Sequence, residues 1–143
     1  MLASSVHFDV SAEEAFRYLV DPRNRPSWQA SLRRVEDLSS ETPQVGQTWT
    51  DVTKPGVRAA METTVLQPYR LWTERGTWRG ITAELTLRFV QVPRGCTVTA
   101  EVRVAGTGLF RPIGPAITAA AAAAVPSDLK KAARSLSERA SGQ

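Results

Sequence analysis

Few side chains in this sequence are of the types that carry out nucleophilic or metal-assisted chemistry. His7 is the only histidine and Cys96 the only cysteine. His7 falls on the strand face opposite Val6 and Phe8, as a solvated side chain would. One histidine and one cysteine, far apart in the sequence, make neither a zinc-ligand set nor an evident Cys–His pair. We therefore expect no metal and no cofactor.

Glu74 is the carboxylate that we single out as a candidate catalytic acid or base. It lies between Trp72 and Trp78 by strand parity, so on a buried strand face it would point inward with a raised pKa. On an outward face it would be solvated, and the sequence leaves both orientations open. Arg58 and Arg75 either orient a substrate carbonyl or carboxylate, or lie on the surface.

Aromatic side chains are the other group with a possible role. Four tryptophans in 143 residues suit the wall of a cavity for a flat or apolar ligand, although core packing is the alternative for each. We predict a ligand-binding lining of tryptophans, apolar strand residues and residues near the start of the last helix. These are Trp28, Trp49, Met61, Trp72, Trp78, Phe89, Phe110, Ile113 and Ile117.

The elements that must position these side chains begin with a strand and two short helices. Residues 2–10 alternate weakly, as a half-buried strand does. Ser11 and Glu14 form a capping box, and the helix that it opens ends at Asp21-Pro22. Pro26 can open a second short helix that carries Trp28.

From Leu32 onward the hydrophobic period changes to two. Predicted strands cover residues 32–38, 47–53, 58–66, 69–77, 81–92 and 96–104. Short connections between consecutive strands favour antiparallel pairing with one wet face. The order of elements thus predicts a curved antiparallel sheet closed over the C-terminal helix.

The last helix is predicted to begin at Pro112 and to run to about residue 140, with a kink or break at Pro126. Alanine occupies most of its first half. If those alanines face the sheet, they leave volume that Leu or Phe would fill, and such space is often used by a ligand. The alternative is that alanine lets the helix approach the sheet closely, with no cavity.

Length and composition indicate one soluble domain covering residues 1–143. The denser basic residues form two clusters, Arg23, Arg25, Arg33, Arg34 and Lys130, Lys131, Arg134, Arg139. The net charge of +4 fits a solvated basic face better than a nucleic-acid surface, because stackable aromatics do not interleave these clusters. The longest uncharged apolar stretch, residues 113–126, is too short to span a bilayer. Residues 1–10 show no signal peptide. We expect a cytoplasmic protein, with its oligomeric state, monomer or homodimer, left open.

Several degenerate motifs spread over the whole chain carry a family resemblance. They are residues 10–16 after the first strand, 21–28 in the next turn, 45–46 before a strand, 67–71 between strands, 93–98, and the terminal helix. Together they resemble the START-like (SRPBCC, helix-grip) superfamily, in its branch of polyketide cyclases, dehydrases and lipid-transport proteins. The resemblance implies an α+β fold in which a seven-stranded antiparallel sheet grips the long C-terminal helix around a cavity, with the short helix of Trp28 at its mouth.

Three functions remain as hypotheses. The first is binding of a hydrophobic small molecule, such as a lipid or a polyketide-like compound. The second is a cyclase or dehydratase in which Glu74 or an arginine moves protons or stabilises an enolate. The third is a protein-interaction module, which predicts a collapsed pocket. The resemblance does not choose among them, because its members share no single set of catalytic residues.

Overall fold

Seven strands form one antiparallel sheet within residues 2–141, the part of the chain that the computed structural model describes, without the side chains of Leu2, Ile113, Ile117 and Ser141. The spatial order of the strands is β1-β7-β6-β5-β4-β3-β2. The strands are β1 Leu2–Phe8, β2 Leu32–Glu36, β3 Thr48–Thr53, β4 Arg58–Gln67, β5 Leu71–Trp78, β6 Ile81–Val92 and β7 Gly95–Gly106. The predicted α+β helix-grip fold is therefore confirmed.

Two short helices follow β1, as predicted. They are α1 Ala12–Leu19 and α2 Arg25–Trp28, separated by a 3₁₀ turn at Pro22–Asn24. The Ser11 hydroxyl accepts a hydrogen bond from the Glu14 amide at 3.1 Å, which satisfies one of the free amides at the start of α1. Asp21 caps the 3₁₀ turn in the same way, through the Arg23 amide at 3.0 Å.

The register of the sheet follows the hydrophobic alternation of its strands. In β7, Val98, Ala100 and Val102 are buried on one face. Leu87 of β6 lies opposite Ala100, and Leu85 lies opposite Val102. Because side chains alternate between faces, this pairing places the apolar residues of neighbouring strands together on the concave face. That face is covered by the helices.

The C-terminal helix, α3 Gly114–Ser141, continues through Pro126. Of the two outcomes predicted for this proline, a break is therefore wrong. Proline removes one backbone hydrogen bond, but the turns that follow are held by buried Leu129 and Leu136. Pro112 belongs to a preceding 3₁₀ turn, Gly108–Ile113, rather than to the start of the helix. No helix of the described residues, α3 included, has the length and apolar character to cross a membrane.

The two halves of α3 pack differently. Its C-terminal half lies over β1 and β7, with Leu129, Ala132 and Leu136 buried. At that end the core closes tightly, and the rings of Phe16 and Phe89 meet edge to face at 5.1 Å between centroids. Alanines dominate the N-terminal half, and several of them are exposed. The space beneath that half is the candidate site.

Candidate functional site

A cavity of about 310 Å³ lies between the sheet, α2 and the N-terminal half of α3. Its wall is mostly apolar. The apolar lining residues are Trp28, Ala59, Met61, Trp78, Ile81, Ala83, Leu85, Leu87, Val102, Val104, Ala121, Ala124, Val125 and Leu129. A cavity of about 150 Å³ suffices for benzene, so this one has room for a molecule of two or three fused rings.

Small residues on both walls keep this space open. Ala121 and Ala124 form part of the helix side, and Gly76 forms part of the sheet side. A Cβ atom at Gly76 would lie 2.7 Å from the Met61 Sδ atom, so the absence of a side chain there lets Met61 lie across β5. Of the two interpretations of the alanine-rich segment, a cavity and close packing, the structure supports the cavity.

A buried ion pair stands at one end of the cavity. The Arg25 guanidinium donates a hydrogen bond through Nη2 to Glu74 Oε2, and the Nε atom of Arg25 donates to the Gln29 side chain. Arg25 is 2% exposed and Glu74 is 5% exposed. Glu74 therefore faces inward, and the alternative of a solvated Glu74 is wrong.

Two indole rings hold the Arg25 guanidinium in place. Its Cζ atom lies 5.0 Å from the Trp28 ring centroid and 5.6 Å from that of Trp72. The electron-rich faces of the rings attract the cation, and the attraction strengthens where water is excluded. Arginine can be buried here because a carboxylate, an amide and two aromatic faces replace its hydration shell.

Two further carboxylates line the cavity near this pair. Asp51, from β3, is 5% exposed and accepts a hydrogen bond from Trp49 Nε1 at 2.9 Å. Asp128, from α3, is half-buried and accepts from the Ala30 amide at 3.3 Å. Glu84 also borders the cavity, but the register places it on the opposite face of the sheet, beside Arg75. Among the described lining residues, three carboxylates thus face one guanidinium.

This excess of acid alters the titration of the cluster. Burial raises the pKa of Glu74, the Arg25 charge opposes that rise, and the Asp51 charge adds to it. Burial likewise raises the pKa of Asp51 against the effect of Arg25, and it raises the pKa of Asp128. Burial lowers the pKa of Arg25, but Glu74 and Asp51 outweigh it, so the guanidinium stays charged.

Two polar atoms at this end of the cavity have no hydrogen-bond partner among the described residues. They are Glu74 Oε1 and Trp28 Nε1, and both are buried. The other two buried indoles are satisfied, since Trp49 donates to Asp51 and Trp72 donates to Thr63 at 3.3 Å. A buried polar group without a partner is costly and calls for an explanation. Here both groups belong to residues that line the cavity.

The predicted site residues divide into two groups. Trp28, Met61, Trp78 and Glu74 come together around the cavity. The rest of the predicted lining with described side chains lies outside it. These residues are Trp49, Trp72, Phe89 and Phe110.

Each residue outside the lining has a structural partner. The ring of Trp72 lies against the Arg25 guanidinium, and Trp49 donates a hydrogen bond to Asp51. Phe89 packs with Phe16 in the closed part of the core. Phe110 packs against Gly80, where a Cβ atom would lie 2.8 Å from its ring. The side chains of Ile113 and Ile117 lie outside the described part of the structure.

Sequence reasoning missed Arg25, Asp51 and Asp128. Arg25 was assigned to a solvated basic cluster, and that assignment is wrong. A four-residue helix is too short to show a period from which its buried face could be inferred. Asp51 did carry a signal, because it shares strand parity with Trp49. The two other candidate arginines are exposed and pair with surface carboxylates, Arg58 with Glu36 at 2.6 Å and Arg75 with Glu62 at 3.4 Å.

The acidic residues do not form a metal centre. Over the described residues, no group of three or more His, Cys, Asp or Glu side chains is arranged to hold a metal ion. What the arrangement offers chemically is a polar end with a buried carboxylate, a fixed cation and an unpaired indole N–H, followed by a long apolar wall.

Comparison with solved structures reveals the same fold in proteins of low sequence identity. Protein MLL2253 from Mesorhizobium loti superposes with a TM-score of 0.77 at 17% identity, over 96% of each chain. A conserved protein from Geobacillus kaustophilus gives a TM-score of 0.71 at 16% identity, over 95% of this chain and 94% of that one. At such identities the similarity establishes the fold alone.

A third similar structure is the di-domain aromatase/cyclase StfQ of the steffimycin biosynthetic pathway. It gives a TM-score of 0.76 at 13% identity. The alignment covers 99% of this chain and 51% of StfQ, so the chain corresponds to about half of that protein. No curated protein matches the sequence significantly.

The family assignment comes from the sequence itself. The family model described as polyketide cyclase/dehydrase and lipid transport matches residues 2–141. It covers the sheet, both short helices and α3. The chain therefore belongs to the polyketide cyclase/dehydrase and lipid-transport family.

Proposed function

We propose that the protein binds a hydrophobic small molecule, lipid or polyketide-like, in the cavity between the sheet and α3. The observation that carries this proposal is the apolar cavity of about 310 Å³ with its polar groups gathered at one end. Ligand sites have this composition, an apolar wall with a few placed polar groups that fix orientation. Burial of apolar ligand surface, at about 25 cal/mol per Å², supplies the driving force.

Two observations bear on the alternatives. An interaction module with a collapsed pocket is disfavoured, because the cavity is large enough for a ligand of two or three rings.

A cytoplasmic location remains part of our proposal. The single cysteine, which excludes an internal disulfide framework, supports it.

The experiment is a calorimetric titration with 2-naphthalenemethanol, a bicyclic alcohol of suitable size. We expect binding at one site per chain. Ala121→Leu, which fills the lining from α3, should weaken that binding by more than tenfold, whereas Ala120→Leu, at an exposed neighbouring position, should not. Equal effects of the two substitutions, or no binding of this ligand by the unmodified protein, would contradict the proposal. Native mass spectrometry of protein purified from its own host can then identify the natural ligand.

A cyclase or dehydratase is the second candidate, and Glu74 favours it. Its carboxyl group is buried, lines the cavity, has one unpartnered oxygen and has a raised pKa, mainly because of burial. A buried carboxylate of this kind on a cavity wall can serve as a general base. In a dehydration, Glu74 would take the proton from the carbon next to a carbonyl. The C=C bond then forms as the C–O bond to the β-hydroxyl breaks, and Glu74 returns its proton to the leaving hydroxide, which yields water and restores the carboxylate.

A simple β-hydroxy ketone, 4-hydroxy-4-phenyl-2-butanone, tests this activity through the absorbance of its conjugated product. We expect Glu74→Gln to lower the rate by at least about 100-fold if Glu74 is the base. Glu62→Gln, at an exposed carboxylate on β4, is the control. If Glu74→Gln dehydrates the ketone as fast as the unmodified protein does, Glu74 has no part in the mechanism. If the unmodified protein dehydrates it no faster than buffer alone, ligand binding is left as the function.

A further inference from the structure

The charge of the cavity end is opposite to that of the whole protein. The chain carries a formal charge of +4. At the polar end of the cavity, however, Asp51, Glu74 and Asp128 face Arg25 as the only cationic side chain among the described lining residues. That cation is already engaged, because Arg25 is buried and donates to Glu74 and Gln29. A ligand carboxylate would meet uncompensated negative charge there.

Two unpartnered atoms define what a ligand must supply at this end. Trp28 Nε1 can only donate a hydrogen bond, so it requires an acceptor. Glu74 Oε1 accepts when the carboxylate is ionised and can donate when it is protonated. Arg25 joins the two residues, since it pairs with the Glu74 carboxylate and lies 5.0 Å from the Trp28 ring. Both residues thus lie against Arg25 at the same end of the cavity.

A hydroxyl group is the head that meets both requirements. It accepts from the indole N–H with a lone pair and, by rotating, either donates to the Glu74 carboxylate or accepts from its protonated form. A ketone can accept from Trp28 but cannot donate to an ionised carboxylate. A protonated amine can donate to Glu74 but cannot accept from Trp28. A carboxylate adds a fourth negative charge to a desolvated acidic cluster.

We propose that the cavity selects apolar molecules that carry a neutral hydroxyl head, held between Trp28 Nε1 and Glu74 Oε1, and rejects carboxylates of the same shape. This inference rests on the proposed ligand-binding function and specifies its ligand class. It excludes free fatty acids and other apolar acids, although their tails fit the apolar wall.

Four probes of matched shape separate the possibilities. They are 2-naphthalenemethanol, 2-naphthalenemethylamine, 2-naphthoate and 2-methylnaphthalene, titrated by calorimetry at pH 7 into the unmodified protein. We expect the alcohol to bind most tightly. The carboxylate should bind at least about tenfold more weakly than the alcohol, and the amine should fall between them. The hydrocarbon measures the contribution of the apolar wall alone.

Two variants assign the selectivity to its residues. Trp28→Phe keeps an aromatic wall but removes the N–H. It should therefore lower the affinity for 2-naphthalenemethanol by several-fold and leave the affinity for 2-methylnaphthalene almost unchanged. Glu74→Gln removes one negative charge and frees the Arg25 cation, so it should raise the affinity for 2-naphthoate by at least about tenfold. Glu62→Gln, at an exposed carboxylate outside the cavity lining, should change the affinity for neither the alcohol nor 2-naphthoate.

The outcomes are distinguishable. If no probe binds, the proposed function fails, and this inference fails with it. If the carboxylate binds as tightly as the alcohol, ligand binding stands but the selectivity is wrong. If the alcohol is preferred but Trp28→Phe lowers the affinity for 2-methylnaphthalene as much as that for the alcohol, the indole N–H does not hold the head group. The titrations of the unmodified protein decide the main point even if a variant fails to fold.

Discussion

Arg25 and Glu74, 49 residues apart in the sequence, form a buried ion pair between α2 and the middle strand of the sheet. Neither side chain is more than 6% exposed. The pair joins the short helix to the concave face at the end of the cavity, so it is both a structural contact and part of the candidate site.

Replacing Arg25 with Met should destabilise the protein by about 3–5 kcal/mol, because Glu74 would remain as a buried and uncompensated charge. Urea denaturation measures this loss. Arg75→Met is the matched control, since Arg75 pairs with Glu62 on the exposed face, where about half of its side chain meets solvent. Its loss should be far smaller. Equal losses in the two variants would show that burial of the Arg25–Glu74 pair is energetically unimportant.

The pH dependence of stability should reflect the acidic cluster. Glu74 and Asp51 have raised pKa values, caused first by burial and, for Glu74, also by the Asp51 charge, while Arg25 opposes both rises. The folded protein therefore holds protons that the unfolded chain releases. This contribution is fully present below the ordinary carboxyl pKa values, near 4, and is lost as the pH rises through the raised values of the folded state. The other charged groups that face this cluster are Asp128 and Arg25, and the Asp128 charge also acts on Arg25.

Asp51→Asn tests this linkage. The asparagine carbonyl can still accept from Trp49 Nε1, but the negative charge is gone. Urea denaturation from pH 4 to pH 8 should show a free energy of unfolding that declines less with rising pH in this variant than in the unmodified protein. Asp37→Asn, at an exposed carboxylate, should keep the original slope. Parallel curves for the unmodified protein and Asp51→Asn would refute the linkage.

The cavity itself should be separable from stability. In Ala121→Leu the larger side chain enters empty space, so the free energy of unfolding should stay the same or rise by up to about 2 kcal/mol, while ligand binding weakens by more than tenfold. Thermal denaturation in the absence of ligand measures the stability. A marked loss of stability would instead indicate that the helix already packs closely at this position.

Cys96 should be unreactive in the folded protein. It is fully buried in β7, and burial raises the pKa of its thiol to about 11. Because the thiolate is the reactive form, a disulfide reagent at pH 8 should modify Cys96 only at the rate of unfolding. The same reagent in guanidinium chloride should react within the mixing time. Rapid modification under native conditions would show that this part of the sheet opens readily.

Most of the fold was predictable because its signals are local. The alternation in β6 and β7, the Ser11 cap and the period of the last helix each arise from neighbouring residues. The sequence-based predictions were wrong where a turn or a proline competes with the hydrophobic pattern of a strand or helix. The strand predicted to begin at Tyr69 starts at Leu71, because residues 69–70 complete a turn. Pro126, a residue that usually disrupts helices, lies within α3.

The candidate site was predictable only in part. Strand parity with Trp72 and Trp78 marked Glu74 as a residue that could face inward, but it did not decide which face of β5 is covered. That depends on where α2 and α3 pack. The prediction that Trp49, Trp72 and Phe89 line the cavity is wrong. Trp49 contacts Asp51, Trp72 contacts Arg25 and Phe89 contacts Phe16, and all three lie outside the cavity wall.

The kinds of elements and their order follow from local patterns in the sequence, because hydrophobic period, caps and turns act over a few residues. The family follows from the motifs spread along the chain. The burial of Arg25, and the position of Asp51, Glu74 and Asp128 at one end of a cavity, depend instead on how distant elements pack together. Those relationships join residues from four separate elements. Their distances are set by how α2 and α3 pack on the sheet, which no local pattern specifies.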